Sequence, residues 1–185
     1  TIEVGEKSIG IYSKTPSSVE MNGGKIHVKD QGIGIYKEDG TVVVKGELDI
    51  DKHVATAKDT EPTGVYAVNG ATVVDQASKI TVGEKSYGFI LNNTDPNKTN
   101  VYTNINSGPV SLGNDSVFLY SNGKADITNN RNINSNNSDH LIGFYVKNGG
   151  ELTNNGTIDF STGKGNIGIY TPNGKATNRG SIVVG

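Results

Sequence analysis

Six tyrosines spaced about one repeat apart are the residues of this chain best suited to recognition: Tyr12, Tyr36, Tyr66, Tyr120, Tyr145 and Tyr170. Each ends a four-residue apolar box, and alternate residues of a strand point to opposite faces. The tyrosines should therefore share one outward column, with Gly10, Gly34, Gly64, Gly88, Gly143 and Gly168 as a shallow lane beside it. Rings over such a lane can stack on sugars or anchor a protein partner. A residue repeated in nearly every coil can also serve simply to stack on its own neighbours. A second candidate surface is the stretch Asn92–Asn100, where Asn93, Asp95 and Lys98 offer polar groups.

Catalytic chemistry has weaker support. Glu47, Asp49 and Asp51 alternate on one outward strand face. Paired acids can serve glycoside hydrolysis or hold a cation, but charged residues on an outward face are ordinarily just solvated. Asn93-Thr94-Asp95 echoes one motif of β-helical pectin-degrading hydrolases, yet the Asp-Asp pair and Gly-His-Gly those enzymes also need are missing. His27, His53 and His140 stand singly. His27 lies about one coil before His53, so two imidazoles could approach, without an evident third ligand. The chain has no cysteine, which excludes disulfides, thiolate metal sites and a cysteine nucleophile. It carries no nucleophile-elbow or phosphate-loop motif. The residues thus predict a non-enzymatic protein with no catalytic residue, metal or cofactor. A net charge of -2 without a basic stripe argues against nucleic acid as partner. No apolar run approaches the ~20 residues of a membrane span.

The elements that must position these residues come from the repeat itself. Seven boxes recur: Ile9-Gly10-Ile11-Tyr12, Ile33-Gly34-Ile35-Tyr36, Thr63-Gly64-Val65-Tyr66, Tyr87-Gly88-Phe89-Ile90, Val117-Phe118-Leu119-Tyr120, Ile142-Gly143-Phe144-Tyr145 and Ile167-Gly168-Ile169-Tyr170. Their steps of 24 to 30 residues are the period of a solenoid. Positions one and three of each box read as the buried column. A second set alternates in the strand manner, from Ile2/Val4 and Ile26/Val28 through Leu48/Ile50, Ile80/Val82 and Val110/Leu112 to Ile158/Phe160 and Ile182/Val184. A weaker third set runs through Val19/Met21, Val42/Val44, Ala71/Val73, Ala125/Ile127, Leu152 and Ala176, with Asn-Gly pairs at the joins. Three short strands in each of about seven coils predict an all-β fold, a parallel β-helix near 33 Å long, since strands stack about 4.7–4.9 Å apart.

Two coils run six residues long, which places loop insertions near 52–62 and 92–100. Twenty of the 22 asparagines lie at or after Asn92. Asn104, Asn129, Asn154 and Asn178 recur about one coil apart, as a hydrogen-bonded ladder requires.

The Gly-Ile-Tyr boxes combined with turns such as Asn154-Asn155-Gly156-Thr157-Ile158 and Asn178-Arg179-Gly180-Ser181-Ile182 resemble the passenger repeats of large type V autotransporter adhesins, especially the fusobacterial RadD-like proteins. The resemblance implies a right-handed parallel β-helix on the bacterial cell surface. It further implies anchoring in the outer membrane through a C-terminal β-barrel that this chain lacks, and adhesion to a host or bacterial receptor, protein or glycan. Lack of cysteine suits passengers, which are exported unfolded. Because the repeat reaches both ends, residues 1–185 read as one β-helical segment excised from a longer passenger, with cut strand edges prone to end-to-end self-association. The alternative from a different class is a carbohydrate-processing or carbohydrate-binding β-helix of the polysaccharide lyase or tailspike kind.

Overall fold

The computed structural model describes residues 1–54, 56 and 60–185. Part of the first insertion (Ala55, Ala57, Lys58 and Asp59) lies outside the described residues. The first coil consists of β1 (Ile2–Val4), β2 (Ile9–Ser13) and β3 (Ser18–Met21). The second has β4 (Lys25–Val28), β5 (Ile33–Glu38) and β6 (Thr41–Val44), the third β7 (Glu47–Ile50), β8 (Thr63–Val68) and β9 (Thr72–Asp75). Then follow β10 (Lys79–Val82), β11 (Tyr87–Asn92) and β12 (Asn100–Asn104). The fifth coil is β13 (Val110–Leu112), β14 (Val117–Asn122) and β15 (Ala125–Asn129). The sixth is β16 (Ile133–Asn134), β17 (Ile142–Lys147) and β18 (Gly150–Asn154). β19 (Thr157–Phe160), β20 (Ile167–Tyr170) and β21 (Lys175–Asn178) make the seventh, and β22 (Ser181–Val184) starts one more turn.

Strands three apart in sequence pair in parallel, so like positions stack into columns. The box strands form one seven-stranded sheet, β2-β5-β8-β11-β14-β17-β20. The third strands form another of seven, and the first strands form sheets of five and three, separated between β13 and β16. This is the parallel β-helix of about seven coils that the repeat predicts. Val, Ile and Thr dominate these strands because branched side chains fit a pleated, half-buried surface. The inward columns fill the interior: Ile26, Leu48, Ile80, Ile133 and Ile158 from the first strands, Ile35, Val65, Phe89, Leu119 and Phe144 from the boxes, and Val42, Val73, Ile127 and Leu152 from the third strands.

The boxes depart from simple alternation, which corrects the face assigned to their glycines. In β5, β8, β11, β14 and β17 the residues at positions two and three are both buried, whereas position one is half-buried in β5, β11 and β17 and exposed at Ile9 and Ile167 of the terminal coils. A Cβ on Gly34 would point inward at Ile26 and Val28, and on Gly64 at Ile50 and Leu48. It would also lie 2.5 Å from the Gly64 carbonyl oxygen in the first case and 2.7 Å from that of Gly88 in the second. Glycine recurs because the next coil's carbonyl occupies the space above it, and no outward glycine lane exists. Phe118 stands in this column with its ring fully buried among Phe89, Tyr102 and Phe144.

One inward residue escaped the periodic reading. β12 opens at Asn100, directly after the second insertion, and carries the fully buried Tyr102 in register with Val73 and Ile127. Its flanking Asn, Thr and Asn residues hid the alternation.

The asparagine ladder is present as expected. Asn104 Nδ2 donates to Asn129 Oδ1 at 2.8 Å, Asn129 to Asn154 at 2.9 Å, and Asn154 to Asn178 at 3.0 Å. Asp75 occupies the same column one coil earlier. It is fully buried and accepts from Arg131 Nε and Nη2 at 2.9 Å each and from the Tyr102 hydroxyl at 2.7 Å. Burial first, and then the Asp75 charge, pushes the Tyr102 hydroxyl well above its ordinary value, so it stays a neutral donor. A second ladder, Asn92–Asn122–Asn148–Asn173, runs along the edge of the box sheet at 3.0, 2.6 and 2.7 Å.

A candidate binding cleft on the tyrosine face

The six tyrosines do share one outward column, in register Tyr12, Tyr36, Tyr66, Ile90, Tyr120, Tyr145 and Tyr170. The first three rings lie nearly parallel, with centroids 4.9 and 5.6 Å apart. Tyr120, Tyr145 and Tyr170 are tilted or edge-on to one another at 5.1 and 4.8 Å. Ring-to-ring contact of this kind stabilises the rod by about 0.5–1.5 kcal/mol per pair beyond area burial. Much of the column is thus self-satisfied.

The exception is the gap at Ile90. The fourth box, Tyr87-Gly88-Phe89-Ile90, inverts its aromatic and aliphatic ends. Ile90 leaves the faces of Tyr66 and Tyr120 without a ring between them. Tyr87 stands beside the gap, edge-on to Tyr120 at 6.1 Å. The insertions flank this strand pair at opposite ends, the first entering the box sheet before β8 and the second leaving it after β11. Thr60 and Glu61 from the first loop join Thr63, Tyr66, Tyr87, Ile90, Asn92, Tyr120 and Asn122 around a cavity of about 410 Å³. A second cavity of about 470 Å³ shares Asn122 and is walled by Asn93, Thr94, Asp95 and Pro96 of the second loop, with Lys124 and Asn148. Burial, followed by the charge of Glu61, raises the Tyr87 hydroxyl above its ordinary value, so the carboxylate bears on this ring.

The polar residues singled out in the second loop have different surroundings. Asn93 is buried and donates to the carbonyls of Lys98 and Lys124 at 2.7 and 3.0 Å, which leaves its amide committed to shaping the loop. Asp95 lines the second cavity while accepting from the Asn97 backbone. Lys98 reaches back to Asp39 at 3.5 Å, away from either cavity lining. Tyr87, Ile90, Glu61 and the two ladder asparagines were not singled out, although the inverted fourth box was a visible signal.

The acids of β7 are already paired. Lys25 sits 3.5 Å from Glu47 and 3.2 Å from Asp49. His27 bridges Asp51 at 2.8 Å and Glu3 at 2.6 Å. His53 instead contacts Asp30 at 2.7 Å, so the two imidazoles belong to separate acid pairs. Burial opposes ionisation of Asp30, but the Val54 backbone N–H and His53 outweigh it and hold its carboxyl below the usual range. Among the described residues no three His, Asp or Glu side chains gather as a metal site. Glu6, Lys29, Asp30, Asp51, Lys52 and Val54 surround a shallow groove of about 360 Å³.

The hydrogen bonds that His27 donates to Asp51 and Glu3 raise its imidazole above the ordinary value of 6.5. A raised folded-state value stabilises the fold fully below 6.5 and loses that stabilisation as pH rises through the folded value. The partners are partly exposed, so the effect should stay under about 1 kcal/mol. NMR titration should place the His27 midpoint above 6.5, and His27→Gln should flatten that part of the stability profile. A midpoint below 6.5 would show that the bridge does not form.

Columns of parallel short strands around a solid apolar interior define the class of pectate lyase-like β-helical domains. Residues 2–78 and 100–185 match the model of the BigA third pectate lyase-like domain, and the chain belongs to that family, which is a domain family of bacterial surface proteins. The unmatched stretch 79–99 contains β10, β11 and the second loop, and hence the interrupted box. No curated protein and no solved structure gave a significant match.

Proposed function

We propose that this chain is a non-enzymatic adhesive segment of a bacterial surface protein, carried on an autotransporter passenger anchored in the outer membrane, and that it recognises a surface glycan through the cleft at Ile90. The observation that carries this reading is the one gap in the tyrosine column, walled by Thr60 and Glu61 of the first insertion. Half-buried tyrosine rings beside amide and hydroxyl groups suit a pyranose ring, whose C–H faces pack on aromatics while its hydroxyls need hydrogen bonds. The pairing of the β7 acids supports a role without catalysis. The family relationship supports the surface location.

A second reading, polysaccharide cleavage, draws on the groove where Asp30 and Asp51 lie near Lys29 and Lys52. Both acids are engaged by histidines, which leaves that groove less prepared for proton transfer than the cleft is for binding.

The test is a glycan array with the purified chain, followed by incubation of each ligand found. Tyr66→Ala and Tyr120→Ala should each weaken binding by roughly tenfold or more, given the ~1 to 2 kcal/mol carried by a well-packed aromatic anchor. Tyr12→Ala, at the end of the column, should leave it unchanged. Ligands recovered intact favour adhesion; shortened or unsaturated products would transfer the assignment to an enzyme. A folded chain that binds no glycan would sink the glycan reading.

A further inference from the structure

The cavity at Ile90 carries one charge among its described lining residues, and it is negative. Among the described residues Glu61 has no ion-pair partner, and no Lys or Arg is among the cavity's described lining residues. Tyr66, Tyr87 and Tyr120 line the same cavity, with Tyr87 and Tyr120 meeting at 76° and the Glu61 charge bearing on Tyr87. Two rings at a steep angle form a corner of π-faces, and a carboxylate beside such a corner favours an organic cation over an anion. The same column already accepts an ammonium. Lys147 Nζ lies 5.4 Å from the centre of the Tyr120 ring and 5.9 Å from that of Tyr145, yet Lys147 is not part of the cavity lining. Thr60, Thr63, Asn92 and Asn122 add hydroxyl and amide groups around the same space, which a simple alkylammonium would leave unused. Neutral and acidic sugars fit this pattern less well, because the first leaves Glu61 unpaired and the second sets like charges together.

We propose that the cleft selects a cationic amino sugar: its ammonium at Glu61, its ring against Tyr66 and Tyr120, and its hydroxyls on the Thr and Asn side chains. The inference rests on the glycan-binding reading above and adds the charge of the ligand to it. The cavity of about 410 Å³ lies within the ordinary range for small-ligand sites. The second cavity, which also has Asn122 in its lining, offers space for adjoining sugars. β11, which supplies Tyr87, Ile90 and Asn92, falls in the stretch outside the family match, whereas Glu61, Tyr66 and Tyr120 lie within it.

The experiment compares glucosamine oligosaccharides with their N-acetylated counterparts of equal length by titration calorimetry, with phosphocholine as a third probe. These sugar pairs differ in charge but share ring and linkage. The expected result is saturable binding of the glucosamine oligomer at least tenfold tighter than its acetylated partner, weakening as salt is added. Glu61→Gln, a surface change that leaves the fold intact by circular dichroism, should abolish that difference in affinity. Equal or tighter binding of the acetylated sugar would overturn the amino-sugar inference while leaving glycan recognition standing. Tighter binding of phosphocholine than of glucosamine would also overturn it, in favour of a trimethylammonium ligand. Absence of binding by all three would overturn it too, and the glycan array then decides the broader reading separately.

Discussion

Replacing Arg131 by alanine is expected to destabilise the rod by about 3–5 kcal/mol, because it leaves Asp75 as a buried charge without its partner. Both side chains are fully buried, and the guanidinium makes five hydrogen bonds, to both Asp75 oxygens, the carbonyls of Ala77 and Gly108, and the Ser107 hydroxyl. The effect should also have an unusual form. Coils of a solenoid ordinarily contact only their immediate neighbours. Arg131 follows β15 in the fifth coil, whereas Asp75 ends β9 in the third, with Tyr102 of the fourth coil bonded to Asp75 between them. Urea unfolding of Arg131→Ala should therefore show a lower midpoint together with a shallower transition, as the two halves of the rod lose their common fastening. Asp75→Asn keeps an acceptor for Tyr102 but strands the guanidinium, and should cost a comparable amount. The double variant should lose clearly less than the two single losses added, since the interaction is removed only once. Strict additivity would show that the ion pair contributes nothing as a pair.

Phe118→Ala should cost about 3–5 kcal/mol, the usual loss for emptying a buried phenylalanine site. Its ring touches Phe89 at 5.4 Å, Phe144 at 5.5 Å and Tyr102 at 6.4 Å, and collapse of those neighbours is limited by their own strand columns. Phe118→Gly would restore the repeat consensus yet should be worse than alanine, since glycine adds backbone freedom to the lost side chain. The check is chemical denaturation of both variants beside the parent. If the glycine variant proved as stable as the parent, the ring would not be filling space that the chain cannot close.

The largest effects thus fall where the repeat is broken. In a column of identical positions each residue meets a copy of its neighbour, and substitution disturbs one rung. Phe118, Tyr102, Arg131 and Asp75 instead interlock across rungs in the middle of the rod. The inverted fourth box lies in the same region and opens the cleft on the outer face.

Periodicity by itself determined the coil number, the three strands per coil, the tyrosine column and the Asn104–Asn129–Asn154–Asn178 ladder. These follow because parallel stacking turns a recurrence along the chain into adjacency in space, with little left for long-range contacts to decide. The inward turn of the glycines was different. It depends on where the next coil's carbonyl lies, so strict alternation placed them on the wrong face. Tyr102 was hidden for a related reason: an inserted loop had displaced the phase of its strand. The pairing of Arg131 with Asp75 across 56 residues has no signal in spacing, nor does the placing of Glu61 in one cavity lining with Tyr87 and Tyr120. Such contacts are set by loop paths and by side chains reaching between coils, and only the assembled tertiary structure fixes those.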